Sequence, residues 1–319
     1  MNDRVPANVP TLSIAAVERD TGLSKDTLRV WERRYGFPTP GRDPAGERAY
    51  TMAELEKLRL VKRLLDAGHR PGRIVQLSAQ ELLHLTQQTV DQPQRDSSAA
   101  LDGAELLAHL ALIREHDTLA LRAELLRLLA RFGVARFVIE VVAPLNMVVG
   151  DAWLRGQLEV FEEHAYTEAV QTVLRQAIAA VPTPAPGPLS VEPAPRVLLS
   201  TFPGEPHGMG LLMVEAMMAV EGFHCTSLGV QTPLWDLVLA ANAYRSDILA
   251  LSFTACVNPN QIVEGLAELR AKLPPALQIW VGGSTPALHR RAVPGVRAFD
   301  TLEELQLQLL SRRKGPASP

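Results

Sequence analysis

Cysteine is nearly missing from this 319-residue chain: Cys225 and Cys256 are the two present, and they form no C-x-x-C pair. Neither a disulfide framework nor a zinc site is therefore expected. No apolar run is read as long enough to span a bilayer, so no membrane partner is expected. The first ten residues hold Asp3, Arg4 and two prolines, and no secretory signal is read there. Neither sign of charge dominates, the formal net being −3. These absences point to a globular, cytoplasmic protein, and the length leaves room for two or three domains.

The charge that is present lies unevenly. Residues 1–80 carry 14 Lys/Arg against 10 Asp/Glu, while the remainder carries 18 against 25. A basic front on an acidic body suits an encounter with a polyanion. Within that front, Ser13 is placed to cap a helix over Ile14–Asp20, Gly22 breaks it, and Ser24 caps a second over Lys25–Tyr35. Leu28 and Trp31 share one face of the second helix, while Arg29, Arg33 and Arg34 project elsewhere. An apolar seam opposite arginines is what a helix reading a duplex requires. Gly36–Tyr50 is a Pro/Gly-punctuated hairpin with Arg42 and Arg48, suited to lie along phosphates. Thr51 and Glu54 form a capping box for a helix to about Ala67, and Arg70-Pro71-Gly72 opens another.

The run Thr27-Leu28-Arg29-Val30-Trp31-Glu32-Arg33-Arg34-Tyr35-Gly36, followed by that hairpin, resembles the winged helix-turn-helix of the MerR family of transcription regulators over residues 11–80. The resemblance implies a double-stranded DNA operator as partner, contacted by Arg29, Arg33, Tyr35, Arg42, Arg48 and Tyr50. Metal-sensing members carry cysteines in the dimerisation region. This chain has none there, so a metal sensor is not expected.

Polar residues 86–100 read as a flexible linker. From 101 to 181, Leu and Ala recur at helical spacing, giving four helices near 101–115, 117–131, 134–155 and 159–180 and hence a four-helix bundle. Pro144 is expected to kink the third. Residues 182–194 form a proline-rich, extended linker. Strand and helix patterns then alternate over 195–312, with strands near 196–202, 224–229, 247–254, 278–282 and 296–299. Five such units predict a doubly wound parallel sheet. Thr232 before Pro233, and Asp300 with Glu303, are read as helix starts, and the tail from Arg312 as disordered.

The loop Glu205-Pro206-His207-Gly208-Met209-Gly210 follows the first of those strands, at the sheet end where open α/β folds bind ligands. Forty-one residues separate Gly210 from Ser252-Phe253-Thr254, and 27 separate Thr254 from Gly282-Gly283. The series E-x-H-x-x-G, S-x-T, G-G resembles the cobalamin-binding domain of methionine synthase and the corrinoid mutases. It implies cobalamin with its lower base displaced, His207 on cobalt, and Glu205 orienting the ring. Gly208 and Gly210 would let backbone pass beneath the macrocycle. Ser252, Thr254, Gly282 and Gly283 would line a slot for the displaced tail. Thr254 stands where many members carry Leu and adds a hydroxyl.

Upstream, Trp153 precedes Glu163-His164 by nine intervening residues, and Val160 shares a helix face with that pair. Placed before a cobalamin domain, W-x9-E-H resembles the cap of the CarH and LitR light-responsive regulators. It implies that Trp153, Val160, Glu163 and His164 cover an adenosyl group. Members forming a second histidine–cobalt bond after illumination have His directly after the Trp; here it is Leu154.

The fold class read from the sequence is thus multidomain: an all-α winged helix-turn-helix of MerR type, a four-helix bundle, and an α/β doubly wound parallel five-stranded sheet of flavodoxin/Rossmann-like kind. The function expected is a cobalamin-dependent repressor, light-responsive through adenosylcobalamin and self-associating as a dimer or tetramer. The alternatives are a regulator sensing cobalamin level or a bilin, and a corrinoid methyl-transfer protein, which would have no use for a DNA-binding head.

Overall fold

A computed structural model of the chain describes residues 11–90, 101–182, 194–285 and 287–313. The chain divides into two compact units, one holding the residues before 95 with Leu154–Gln157, the other the rest.

The first unit comprises β1 (Thr11–Ser13), α1 (Ile14–Thr21), α2 (Lys25–Tyr35), β2 (Gly41–Arg42), β3 (Arg48–Thr51), α3 (Met52–Asp66), α4 (Pro71–Ile74) and α5 (Ala79–Val90). The Ser13 side chain accepts from Ala16 N–H and that of Ser24 from Thr27 N–H, satisfying donors that a helix start leaves open. Gly22 and Gly36 close α1 and α2 at φ of 70° and 69°, where a Cβ would be strained. Thr51 and Glu54 make a reciprocal capping box for α3. The unit is not purely helical: β1 pairs with β3, and β3 with β2, as a small antiparallel sheet around the hairpin. Leu28, Trp31, Tyr50, Leu55 and Leu58 are buried together beneath it.

Helix α5 corrects the expected linker over 86–100. It runs on to Val90, because no helix breaker follows Ser78 and Glu81 at its start until Pro93. Residues 91–100 lie outside those described, as do 183–193 of the proline-rich linker.

The second unit begins with α6 (Gly103–Arg114), α7 (Thr118–Phe132), α8 (Val134–Phe137), a π-helical turn (Val138–Val142), α9 (Ala143–Leu154) and α10 (Val160–Ala179). At Pro144, where a kink is expected, the helix widens. Proline has no N–H for the carbonyl of Glu140, and the turn before it adopts wider bonding, Ala143 N–H donating to Val138 O. The continuous helix Val134–Leu154 is, by length and composition, long and apolar enough to cross a membrane, contrary to the sequence expectation. Half of that window is buried, with Phe137, Val138, Val141, Val142, Leu145 and Val149 in the bundle core.

The α/β part follows: β4 (Arg196–Ser200), α11 (Met209–Val220), β5 (His224–Ser227), α12 (Leu234–Ala243), β6 (Ile248–Phe253), α13 (Pro259–Lys272), β7 (Gln278–Gly283), α14 (Ala287–Arg290), β8 (Val296–Phe299) and α15 (Leu302–Arg313). All strands are parallel in the order β5-β4-β6-β7-β8. Chain direction across the sheet reverses between β4 and β6, which opens a crevice at their carboxyl ends. Helix α11 is apolar almost all round because it packs on the sheet and on α10 at once, joining bundle and sheet in one core. Two helix starts differ by one residue from expectation. Leu234 rather than Pro233 opens α12, and at the start of α15 Glu304, not Glu303, accepts from the Asp300 N–H while its own N–H donates to Thr301 Oγ1. The latter helix reaches Arg313, two residues into the expected disordered tail.

Candidate cobalamin site and nucleic-acid interface

Strand β4 delivers the chain into the loop Thr201–Gly208 at the crevice. Two fully buried hydroxyls anchor that loop, neither singled out by the sequence reading. Ser200 Oγ lies 2.7 Å from Thr232 Oγ1 and donates to Gly229 O, while Thr201 Oγ1 donates to Glu205 O at 2.7 Å and accepts from Gln231 N–H. They hold Glu205 where its carboxylate is wholly buried.

Oxygen Oε1 of that carboxylate accepts from His207 N–H and from His207 Nδ1, at 3.1 and 2.7 Å. Oxygen Oε2 accepts from the Thr254 N–H and hydroxyl, at 2.5 and 2.8 Å, across the β4–β6 crevice. Burial opposes the charge on Glu205, but its bonds to the His207 side chain, to Thr254 and to the His207 N–H outweigh it and hold the carboxyl below its ordinary range. The His207 imidazolium is favoured in turn. Its contacts with Cys256 and Glu205 outweigh desolvation and lift it to about 10. With Nδ1 engaged and the ring 47% exposed, Nε2 is the nitrogen presented to a ligand. The sequence reading missed Cys256. Its Sγ lies 3.0 Å from Thr254 Oγ1, 3.4 Å from Glu205 Oε1 and 3.7 Å from His207 Nδ1.

The glycines test whether a flat macrocycle with a tail fits. A Cβ on Gly210 would stand 3.0 Å from Ser252 Oγ, one on Gly208 3.1 Å from Val230, and one on Gly283 1.9 Å from the Phe253 carbonyl oxygen. Gly283 has φ of 123°, so the last approach admits no side chain. Gly210, Ser252, Gly282 and Gly283 line one cavity of about 440 Å³, walled mainly by apolar side chains including Met213, Met218 and Trp280. Bundle residues Ile139, Ala143 and Met147 close its other side. An apolar cavity edged by Gly210 and by the carboxyl ends of β6 and β7 suits a displaced nucleotide tail.

Of the expected cap residues, Trp153 is half-buried against the bundle core and Val160 is 43% exposed. Glu163 accepts from Thr167 Oγ1 at 2.7 Å, with His164 Nε2 3.7 Å from it. Its neighbour Glu162, buried, closes the capping box at Glu159 and pairs with His116 at 3.0 Å. Glu162 therefore stabilises the helix start, while Glu163 is the less engaged carboxylate.

In the first unit, Arg29, Arg33 and Arg42 are exposed. Arg29 pairs with Asp26, and Arg42 donates to Gly46 O within the hairpin. Tyr35 is partly buried, its ring beside Gly72. Arg48 donates to Glu32 at 2.8 Å, with both side chains mostly covered, a bond that raises the guanidinium further above its ordinary value. Tyr50 corrects the sequence expectation. Its side chain is fully buried in the core, burial pushes its hydroxyl up to about 12, and that hydroxyl has no hydrogen-bond partner among the described residues. A side chain with no exposed surface makes no contact with a duplex in this conformation.

A winged DNA-binding head together with a switch-point histidine above a glycine-edged slot defines a class of protein: a DNA-binding regulator that carries a cobalamin. Residues 12–81 match the MerR HTH family regulatory protein family, 195–304 a B12 binding domain family and 108–178 a second B12 binding domain family. The HTH-type transcriptional repressor CarH of Myxococcus xanthus is 31% identical over 269 residues, covering 84% of this chain and 87% of the relative. The repressor CarA of the same organism is 30% identical over 307 residues, covering 92% and 95%. In fold, the chain resembles the Methanosarcina barkeri monomethylamine corrinoid protein, with TM-score 0.51, 14% identity and coverage of 66% of this chain and all of that one. The chain belongs to the MerR-type, cobalamin-binding repressor family that includes CarH and CarA. It is a cobalamin-dependent transcription regulator and not an enzyme.

Proposed function

We propose that the chain is a cytoplasmic, light-responsive repressor whose cofactor is adenosylcobalamin, bound through His207 and capped by Trp153, Val160, Glu163 and His164. The observation that carries this reading is the Glu205–His207 bond at 2.7 Å, which fixes Nδ1 and leaves Nε2 for cobalt. When bound, the cofactor supplies a cobalt–carbon bond that visible light breaks.

The chain's own residues do the rest. Glu205 and Thr254 hold the imidazole, and Gly208 and Gly210 keep the loop low beneath the ring. Ser252, Gly282 and Gly283 leave room for the tail, and the cap shields the upper face. Bundle and sheet share one core, so filling the space above His207 biases the surface available for self-association. Assembly as a dimer or tetramer then raises operator affinity by linking several heads, each contacting DNA through Arg29, Arg33, Tyr35, Arg42 and Arg48.

The test is an absorption spectrum of the protein loaded with adenosylcobalamin, with oligomeric state and operator binding measured in darkness and after green light. A red-shifted, histidine-bound spectrum with light-dependent loss of assembly and of operator affinity is expected. Unchanged assembly and affinity after complete bleaching would overturn the light reading. Leu154 favours one second reading, a regulator of cobalamin level: a hydrocarbon offers cobalt no ligand at the position after Trp153. In that case cofactor loading alone, in the dark, sets operator affinity.

A further inference from the structure

We propose that Glu205, His207 and Cys256 also form a site for a zinc-like divalent cation, occupied when the chain holds no cobalamin. No spacing pattern marks it, because the ligands come from two loops 49 residues apart and no paired cysteines are present.

The three ligand atoms all lie within 4.8 Å of one another. Glu205 Oε1 is 2.7 Å from His207 Nδ1, Cys256 Sγ is 3.4 Å from that oxygen, and Sγ is 3.7 Å from Nδ1. Thr254 Oγ1 adds a fourth corner, 3.0 Å from Sγ and 3.2 Å from Nδ1. These five edges average about 3.2 Å, and a regular tetrahedron of that edge has its centre about 2 Å from each corner, close to zinc–nitrogen and zinc–oxygen bond lengths. The Cys256 edges to Glu205 and His207 are already near those of a zinc site. The Glu205–His207 edge must open by roughly 0.6 Å as a cation replaces the proton between them, and the Thr254–Cys256 edge by about 0.5 Å.

Ligand type and charge select the ion. Thiolate and imidazole favour zinc over magnesium or calcium. The Glu205 carboxylate and the Cys256 thiolate together neutralise a dication, and the thiol and Nδ1 protons leave to solvent. Three protein ligands with a weak, replaceable hydroxyl at the fourth corner make an open site reached from solvent, since the His207 ring is half exposed. A cation on Nδ1 would leave Nε2 the wrong partner for cobalt, because that nitrogen would have to carry the ring's proton. Cation and corrin then exclude each other. This exclusion rests on the proposed ligation of cobalt by His207; the cation site itself does not.

The experiment uses the untagged, full-length apo chain, titrated with Zn²⁺ under calorimetry and with Co²⁺ under absorption spectroscopy. One equivalent of Zn²⁺ is expected. Co²⁺ should give a near-ultraviolet thiolate charge-transfer band, kept by Cys225→Ser and lost in Cys256→Ser. The latter should bind Zn²⁺ at least about tenfold more weakly while keeping the melting temperature of the wild-type apo chain, which shows that its fold is intact. Cobalamin should release bound Zn²⁺ from the wild-type chain. Absence of a bound equivalent, or equal Zn²⁺ affinity in Cys256→Ser, overturns the site. If Cys256→Ser does not fold, the wild-type Co²⁺ spectrum decides, and a spectrum without the thiolate band overturns the proposal. Cation binding without release by cobalamin overturns the exclusion alone.

Discussion

The carboxylate of Glu205 bridges two loops: one oxygen accepts from His207 Nδ1 at 2.7 Å, the other from the Thr254 hydroxyl at 2.8 Å. The residue that orients the histidine is therefore itself oriented from the neighbouring strand. Glu205→Gln keeps the size and removes the charge, leaving an amide that can turn its NH2 toward Nδ1. Cobalamin affinity should fall about 10–100-fold, as for other partners of metal-bound histidines. Equilibrium dialysis measures this, and Thr254→Val should show a smaller loss in the same direction.

Protonation of His207 opposes cobalt ligation. Its folded-state value of about 10 lies above the ordinary 6.5, so the charged ring stabilises the fold fully below pH 6.5, and that contribution fades as pH rises through 10. Nε2 must lose its proton before it can bind cobalt. Cobalamin uptake should therefore release about one proton near pH 7 and tighten as pH rises toward 10. Calorimetry in buffers of different ionisation enthalpy counts the proton. A pH-independent affinity between 6 and 9 would contradict this account.

The glycines of the slot should separate by where their Cβ would land. Gly210→Ala meets the Ser252 hydroxyl at 3.0 Å, a contact that a small shift relieves. It should fold and take up cobalamin poorly. Gly283→Ala meets a backbone carbonyl at 1.9 Å from a φ of 123°, so the strand end itself must move. Its cost should be a folding cost, about 1–3 kcal/mol or more, read as a lowered melting temperature.

Tyr50 and Arg29 should behave oppositely in DNA binding. Removing the buried, unpartnered hydroxyl by Tyr50→Phe should leave operator affinity unchanged and raise stability by about 1 kcal/mol. Arg29→Ala should weaken operator binding and reduce its salt dependence by about one counterion. A large loss of affinity from Tyr50→Phe with stability intact would return Tyr50 to the interface.

Local chemistry determined a great deal in this chain. Ser13, Ser24 and the Thr51–Glu54 pair begin helices because side-chain oxygens so placed satisfy open N–H groups wherever they occur. The central strands β4, β6 and β7 are legible because runs buried on both faces must be largely apolar. Tertiary structure decided what depends on residues far apart. Tyr50 sits in an alternating hairpin that reads as exposed, and only the packing of α2 and α3 beneath it takes its ring out of solvent. Pro144 signals a disturbed helix, but the surrounding bundle decides that the disturbance is a π turn. Cys256 looks isolated in the sequence and stands beside His207 only because β4 and β6 are neighbours, with their loops meeting at one crevice. Sequence spacing fixes which groups share an element, whereas the distance between elements is set by the core they bury together.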